Sequence, residues 1–381
     1  MDVKHAVKTT ILLTALALLS SCQKSSPSTS SDTLEVLIGS AAPLTGPQSH
    51  LGQDNANGAQ LAVDDANKEH IVINGKKIHF TLQSEDDAAD PKTGTIVAQK
   101  FADQKVNGVV GHLNSGTTIP ASRIYSDAGI VQISPSATNP KYTQQGFKTA
   151  FRVMANDIQQ GKVLAQFTSQ HLKAKRVAII DDATSYGQGL ADEYAKSLQG
   201  VEIVSREHTD DHSTDFSAIL TRIKGKSPDV IFYGGMDAQS GPMLKQLRDL
   251  RDKSIFLTGD GGCSIEFAQL AGAAAQGSFC SLPGVPLNKM PKGVDFQTRF
   301  KAKYGDIQDY APYAYDAVGV MIAAMKKAQS VDPQVYVKVM PTIHYDGVTA
   351  NIAFDDKGDL KDGEVTLYEW QNGKKVPINN Q

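Results

Sequence analysis

The sequence predicts an α/β protein built as two doubly wound lobes with a ligand cleft between them. From Leu34 onward, short β-branched or apolar runs alternate with longer stretches of helical period, the pattern of parallel strands joined by crossover helices. The same rhythm restarts at Arg176, so the chain carries two similar halves. A length of 381 residues is also more than one core usually serves, at ~100–200 residues per domain.

In the first half, Val36-Leu37-Ile38 reads as a strand, followed by a helix from Gly52 to Lys68 with Ala59, Ala62, Val63 and Ala66 on one face. Ile78 to Leu82 alternates as a strand. Asp90-Pro91 opens a helix through Phe101, with proline at the first turn where its missing N–H is harmless. Strand Val106 to Val110, helix Thr118 to Asp127 and strand Ile130 to Ile133 follow. In the second half the order is strand Arg176 to Ile180, helix Gln188 to Gln199, strand Val201 to Ser205 and helix Ser213 to Lys224. Strand Asp229 to Tyr233, helix Gln239 to Leu250 and strand Ile255 to Leu257 complete it.

The N-terminus differs from the rest. Lys4 and Lys8 form a basic end, Ile11 to Leu19 is apolar, and Ser20 and Ser21 precede Cys22, which together read as an export signal over 1–21. The apolar run falls well short of the ~20 residues that span a bilayer. Leu19-Ser20-Ser21-Cys22 resembles a bacterial lipobox, in which the cysteine is acylated and becomes the new N-terminus. Residues 22–33 hold the polar run Gln23 to Ser31, too poor in apolar groups to fold, and are expected to be a flexible tether. Of the remaining cysteines, Cys263 and Cys280 could form a disulfide in an oxidising compartment or stay as two free thiols.

A net charge of -3 argues neither for a nucleic-acid surface nor for strong steering of an anionic substrate, and no nucleic acid is expected. No G-x-x-x-x-G-K-[ST] phosphate loop and no G-x-S-x-G nucleophile elbow occurs, and Gly187-Gln188-Gly189 lacks the third glycine of a dinucleotide fingerprint. His208 to His212 offers potential metal ligands but lies in a polar connection without a further ligand cluster, so a solvated loop is expected and no metal. In doubly wound sheets ligands sit beyond the carboxyl ends of the strands. That rule selects Ala41 to Pro47, Gly111 to Thr117, Ser134 to Thr138, Asp181 to Gly187 and Gly259 to Gly262. The second and third place hydroxyls and free N–H groups at strand-to-helix turns, which suit a carboxylate, although such turns also serve as plain helix caps. Asp260 among three glycines would suit an ammonium group, although Asp-Gly is also an ordinary turn.

At these segments the sequence resembles the leucine/isoleucine/valine-binding protein family of bacterial ABC importers, which has the type I periplasmic-binding fold. The matches are collinear: Gly39 to Pro47 with Gly52, Asp86 to Lys92, Gly111 to Leu113 with Ser115, Pro120 to Tyr125, Ser134 to Thr138, Tyr186 to Leu190, Asp215 to Ser217, Tyr233 to Gly235, and Gly358 to Lys361. The resemblance implies that the ligand carboxylate is held by Ser115 and Thr138. The ammonium would meet the Ser136 carbonyl, the Thr138 hydroxyl and Asp260. Leu51, Leu113, Asn114, Tyr186, Met236 and Tyr310 would form the pocket wall. Family members carry glutamate at the Asp260 position and tyrosines at Leu51 and Met236, so the ammonium would sit deeper or reach Asp260 through water. The cysteines that some members join near the site fall on Ala89 and Asn114, and Cys263–Cys280 is a possible replacement elsewhere.

The resemblance further implies a first lobe of residues 34–154 and 282–343 and a second of 155–281 and 344–381. It implies a solute-binding protein and no enzyme: a monomer without cofactors, taking a branched-chain or other apolar amino acid and passing it to ABC permease subunits. The location would be extracytoplasmic, in the periplasm or at the cell surface, held to the membrane by lipidated Cys22. Two rivals stay open, a sensor of the same fold acting on a signalling partner or binding another amino acid or amide, and a hydrolase with an unrecognised site.

Overall fold

The computed structural model describes residues 33–378. The expected export signal, Cys22 and all of the expected tether except Thr33 lie outside the described residues. The first sheet contains β1 (Thr33–Ala42), β2 (Val72–Ile73), β3 (Lys76–Asp86), β4 (Gly108–Gly111), β5 (Gln132–Ser134) and β6 (Ala150–Arg152), in the order β2-β3-β1-β4-β5-β6. All neighbours are parallel except β2 and β3, which turn through Asn74 and Gly75, both at positive φ as a tight hairpin requires. The crossovers are α1 (Ser49–Lys68), α2 (Pro91–Gln104), α3 (Ser115–Ala128) and the short α4 (Lys141–Gln144). Helix α2 starts where expected because the Asp90 carboxylate accepts the Thr93 N–H at 2.7 Å ahead of Pro91.

The second half begins with α5 (Asp157–Gln166) and β7 (Arg176–Asp181), then α6 (Ser185–Ser197), β8 (Glu202–His208), α7 (Ser217–Lys224) and β9 (Val230–Gly234). Next come α8 (Asp237–Asp249), β10 (Ile255–Thr258), α9 (Ile265–Ala271) and β11 (Phe279–Pro283). Helix α7 starts later than the expected Ser213, because Asp210 takes the Ser213 hydroxyl and Asp215 the Ser217 N–H, holding that stretch in turns. After β11 the chain forms α10 (Gly293–Tyr304), α11 (Ala311–Ala328), α12 (Pro333–Tyr336), the ribbon β12 (Tyr345–Asp346) and β13 (Asn351–Ile352), and finally β14 (Val365–Gln371) and β15 (Lys374–Pro377). The second sheet runs β15-β14-β11-β10-β9-β7-β8, parallel from β11 to β8 and antiparallel at β14 and β15.

Both sheets are covered on two faces, so β4 and β9 are buried at every position. Helix α11 returns to the first sheet and lies against α1, so close that a Cβ on Gly58 would fall 2.2 Å from the Ala311 carbonyl oxygen. The ribbon stays on this side too: Asp316 of α11 accepts the N–H groups of Val348 and Thr349, and Phe354 packs on Phe151. Among the described residues the chain therefore passes between the sheets after β6, after β11 and before β14. Cys263 is bonded to Cys280 of β11, with Cα atoms 5.5 Å apart, which ties the turn of Asp260–Gly262 to the neighbouring strand.

Candidate ligand-binding site

The carboxyl ends of both sheets face one another across a small space. Strand β4 ends at Gly111, and the loop His112–Asn114 leads into α3, whose first residue is Ser115. Strand β5 ends at Ser134, whose hydroxyl accepts the Ala137 N–H at 2.9 Å and donates to the His112 carbonyl at 3.0 Å, fastening the two loops together. Arg152, fully buried on β6, donates to the carbonyls of Ala137 (2.8 Å) and Asn139 (3.0 Å), and its charge is met by Asp359 at 2.5 Å. This buried pair fixes the backbone that presents Ser136 and Thr138. The Ser115 hydroxyl accepts the Asn139 N–H at 3.2 Å, the Ser136 hydroxyl accepts from Asn55 at 3.1 Å, and the buried Thr138 hydroxyl has no partner.

On the second sheet, Asp260 opens the turn after β10 and is 3% exposed. One carboxylate oxygen accepts from the Tyr186 hydroxyl at 2.8 Å and from the Gln160 amide at 3.0 Å; the other accepts from the Tyr310 hydroxyl at 2.8 Å. Burial pushes the carboxyl above its ordinary value, and the bonds from Tyr310, Gln160 and Tyr186 oppose that rise. Gln160 also accepts the Asp260 N–H (3.1 Å) and the Ser281 hydroxyl (2.7 Å), so it holds both the backbone and the side chain of Asp260. Tyr186 accepts the Gly261 N–H at 2.9 Å. Gly261 is required there, since a Cβ would fall 2.7 Å from the Met236 sulfur and 2.8 Å from the Tyr186 ring. Tyr310 comes from the first-sheet side, where Asp54 of α1 accepts four consecutive N–H groups, Gln308 to Ala311, at 2.7–3.1 Å.

The resulting cavity, of ≈ 10 Å³, is lined by Leu113, Asn114, Ser115, Ser136, Tyr186, Met236, Asp260, Gly261 and Tyr310. That is room for about one water molecule, so a solute the size of an amino acid enters only as these side chains move apart. Eight of the residues singled out from sequence thus meet around one space. Leu51 does not line it: it is buried in the apolar cluster that also holds Leu113, Met236 and Tyr310. Thr138 lies outside the lining as well, fully buried. The lining contains one carboxylate and no Lys, Arg or His. A larger hollow of ≈ 410 Å³ on the other side of Tyr310 is walled mainly by apolar groups such as Met154, Leu282, Leu287 and Met290. Its polar groups are already paired with one another in part, Lys375 with Asp309 at 2.5 Å and the Tyr313 hydroxyl with the Pro283 carbonyl at 2.6 Å.

Four structural contributors, Asp54, Arg152, Asp157 and Gln160, were not singled out from sequence. Asp157 and Gln160 belong to α5, a helix announced by Asn156 and Gln159, which form a reciprocal capping box. Asp157 is fully buried behind Thr138, and burial pushes its carboxyl up to about 8 against the opposing effect of the nearby Thr138 hydroxyl, which makes no bond of good geometry to it. At His208 to His212, His208 pairs with Asp181 at 2.9 Å and His212 is exposed; no group of three potential metal ligands occurs among the described residues. No described helix is long and apolar enough to cross a membrane.

Two doubly wound sheets linked by crossing segments, with a cavity at the carboxyl ends of their strands, define a two-lobed solute-binding protein of the type I periplasmic-binding fold. The chain belongs to the periplasmic binding protein family, whose model matches residues 35–375, and within it to the branched-chain amino acid substrate-binding proteins of ABC transporters. Leu/Ile/Val-binding protein homolog 1 of Brucella suis biovar 1 is similar at 38% identity over 342 residues, 89% of this chain and 91% of that one. The leucine-, isoleucine-, valine-, threonine-, and alanine-binding protein of Pseudomonas aeruginosa is 33% identical, covering 90% of this chain and 91% of its own length. Among solved structures, the branched-chain amino acid transporter substrate-binding protein LivJ of Streptococcus pneumoniae in complex with isoleucine superposes with a TM-score of 0.81 at 29% identity, covering 91% of this chain and all of that one. The leucine-binding protein LivK of Thermotoga maritima gives 0.82 at 25% identity, with 90% and 98% covered. Members of this family bind solutes for transporters outside the cytoplasm and are not enzymes.

Proposed function

We propose that this protein captures one apolar amino acid, of the branched-chain type, in the cavity around Asp260 and delivers it to the permease of an ABC importer. The observation that carries this reading is the chemistry of the cavity, with a buried carboxylate on one wall and the Ser115 and Ser136 hydroxyls at strand ends on the other. The ligand carboxylate is received by Ser115, at the N-terminus of α3, and by Thr138, whose hydroxyl is free to accept that role. The ammonium is received by Asp260, with the Ser136 carbonyl and Thr138 beside it. Leu113, Met236 and the tyrosine rings enclose the side chain, and Leu51 supports that wall from behind. Burying a leucine-sized group there contributes roughly 1.5–3 kcal/mol, whereas a second carboxylate finds no cation and is disfavoured.

The moving bodies are residues 34–154 with 282–343 and 155–281 with 344–381, except that the stretch from β12 to Phe354 moves with the first body, to which Asp316 and Phe151 hold it. The protein acts as a monomer held at the membrane by a lipid on Cys22. A Cys22→Ala variant is expected in the soluble fraction or unprocessed, and a correctly processed, membrane-bound variant contradicts the anchor. Titration calorimetry with the full panel of amino acids tests the ligand: leucine, isoleucine or valine is expected to bind, and aspartate and glutamate to give no heat. Tight binding of an acidic amino acid with the branched-chain ones silent overturns the assignment.

A further inference from the structure

Outside the groups assigned to the ligand, two ion pairs join the two sides of the cleft, Lys375 of β15 with Asp309 beside Tyr310, and His50 with Asp237 next to the cavity. His50, the second residue of α1, places Nε2 2.7 Å from a carboxylate oxygen of Asp237, the first residue of α8. Asp237 is fully buried and accepts the Ser264 hydroxyl on the same oxygen at 2.5 Å; the His50 side chain is 23% exposed. The chain neighbours of this pair are the wall residues: Leu51 follows His50 in the supporting cluster, and Met236, which lines the cavity, precedes Asp237. On the outer side, Gln48 and Ala238 line a groove between the two halves together with Thr45, Asp211 and Gln239. The pair therefore stands between the cavity and that groove, with one partner carried by each half of the molecule.

We propose that His50 and Asp237 form a latch at the mouth of the cavity that stabilises the closed form, strongly when the imidazole is protonated and weakly when it is neutral. It rests on the reading of this cavity as the solute site. A charged N–H donor to a buried carboxylate makes a shorter and stronger bond than a neutral one. Opening the cleft separates the partners and returns both to water, so the bond favours closure alone. The charged groups that act most on the imidazole are acidic, Asp237 from α8, Glu266 from α9 and Asp309 from the loop before α11, the last paired with Lys375. Burial by itself would lower the pKa of His50, but the hydrogen bond and charge of Asp237, with Glu266 and Asp309 behind it, carry it above the ordinary imidazole value. The stabilisation is thus full below the open-form pKa and is lost as pH rises through the raised closed-form value. Solute is held longer in acid surroundings and released sooner in alkaline ones.

The test compares the wild type with His50→Gln and Asp237→Asn between pH 5.5 and 8, using the full chain. Two quantities are followed, the compactness of the solute-free protein by small-angle X-ray scattering and the rate of L-leucine release by stopped flow. Asp309, pushed up to about 6, and Asp157, at about 8, also titrate near this window, so the difference between wild-type and variant curves carries the answer. Wild-type release is expected to quicken on the order of tenfold from pH 5.5 to 8, with compactness falling in parallel. Both variants are expected to follow flatter curves near the wild-type alkaline limit. Wild-type and variant curves that superimpose in both measurements overturn the latch. A pH-dependent compaction that vanishes in the variants, with leucine bound by none of the three, keeps the latch and removes the amino-acid reading.

Discussion

On the first-sheet side the cavity is bounded by neutral groups, the Ser115 and Ser136 hydroxyls and the turns that carry them, whereas on the second-sheet side it is bounded by one carboxylate. The neutral wall needs little when no solute is present: Ser115 and Ser136 find partners in Asn139 and Asn55, and Thr138 waits without one. The charged wall cannot wait in that way. Asp260 is satisfied by two tyrosine hydroxyls and an amide, one of the tyrosines reaching across from the other half, so the closed form supplies three donors to a group that is costly to bury alone. Positive charge arriving on a ligand therefore gains most at Asp260, while negative charge is received by dipoles spread over several residues.

This difference predicts unequal losses. Asp260→Ala removes the only charged partner in the lining and is expected to weaken leucine binding by at least ~30-fold, from ~2–5 kcal/mol for truncating a buried charged hydrogen bond. Titration calorimetry on a variant with wild-type circular dichroism checks it, and unchanged affinity would return Asp260 to a structural turn. On the neutral wall the loss is divided, so Ser115→Ala and Thr138→Val are each expected to cost about tenfold, at ~1.5 kcal/mol per hydrogen bond to a charged group. If either exceeds Asp260→Ala in the same assay, the proposed asymmetry between the walls is wrong.

Gln160 sharpens the comparison because it acts on the charged wall only through Asp260. Gln160→Met is expected to weaken leucine binding about fivefold, at ~1 kcal/mol for one amide hydrogen bond. It also removes a bond that opposes the upward push of burial on Asp260, raising the Asp260 pKa further. The carboxylate is the binding form, so affinity lost on acidification is expected to fail at a higher pH in the variant than in the wild type. A calorimetric pH series below 6 reads this, and a parallel loss at every pH would reduce Gln160 to a packing residue.

Most of the architecture was legible because parallel strands and crossover helices imprint period and turn chemistry on the sequence, as at Asp90-Pro91 and in the fully apolar Val230–Tyr233 stretch. The candidate site was legible in part because the ends of parallel strands are readable positions, which is how Ser115, Ser136 and Asp260 came to be singled out. What stayed hidden depends on contacts between distant segments. Asp54 gathers N–H groups more than 250 residues away, and the Arg152–Asp359 pair joins β6 to the far end of the chain. Neither has a local pattern, because a buried charge is explained only by a partner that folding brings to it. Leu51 marks the opposite limit: an apolar residue on a helix face reads the same whether it touches a ligand or stands one layer behind.

The smallest expected effect lies on the apolar part of the wall. Met236 is 4% exposed and lines the cavity, and its side chain makes no hydrogen bond, so that side chain's contribution comes from packing against the ligand. Its unbranched thioether adapts to differently shaped neighbours. Leucine, isoleucine and valine are therefore expected to differ only modestly in affinity, within the ~1–3 kcal/mol that separates ligands by a methylene. Met236→Ala enlarges the space beside the ligand without touching either charged end. Leucine binding is expected to weaken roughly threefold to tenfold, for about 1 kcal/mol of lost contact, while alanine, too short to reach that wall, changes by less than about twofold. Competition calorimetry with the two amino acids measures the ratio directly. An equal loss for both would mean that Met236 positions the charged wall, placing Gly261 and Asp260, rather than packing against the solute.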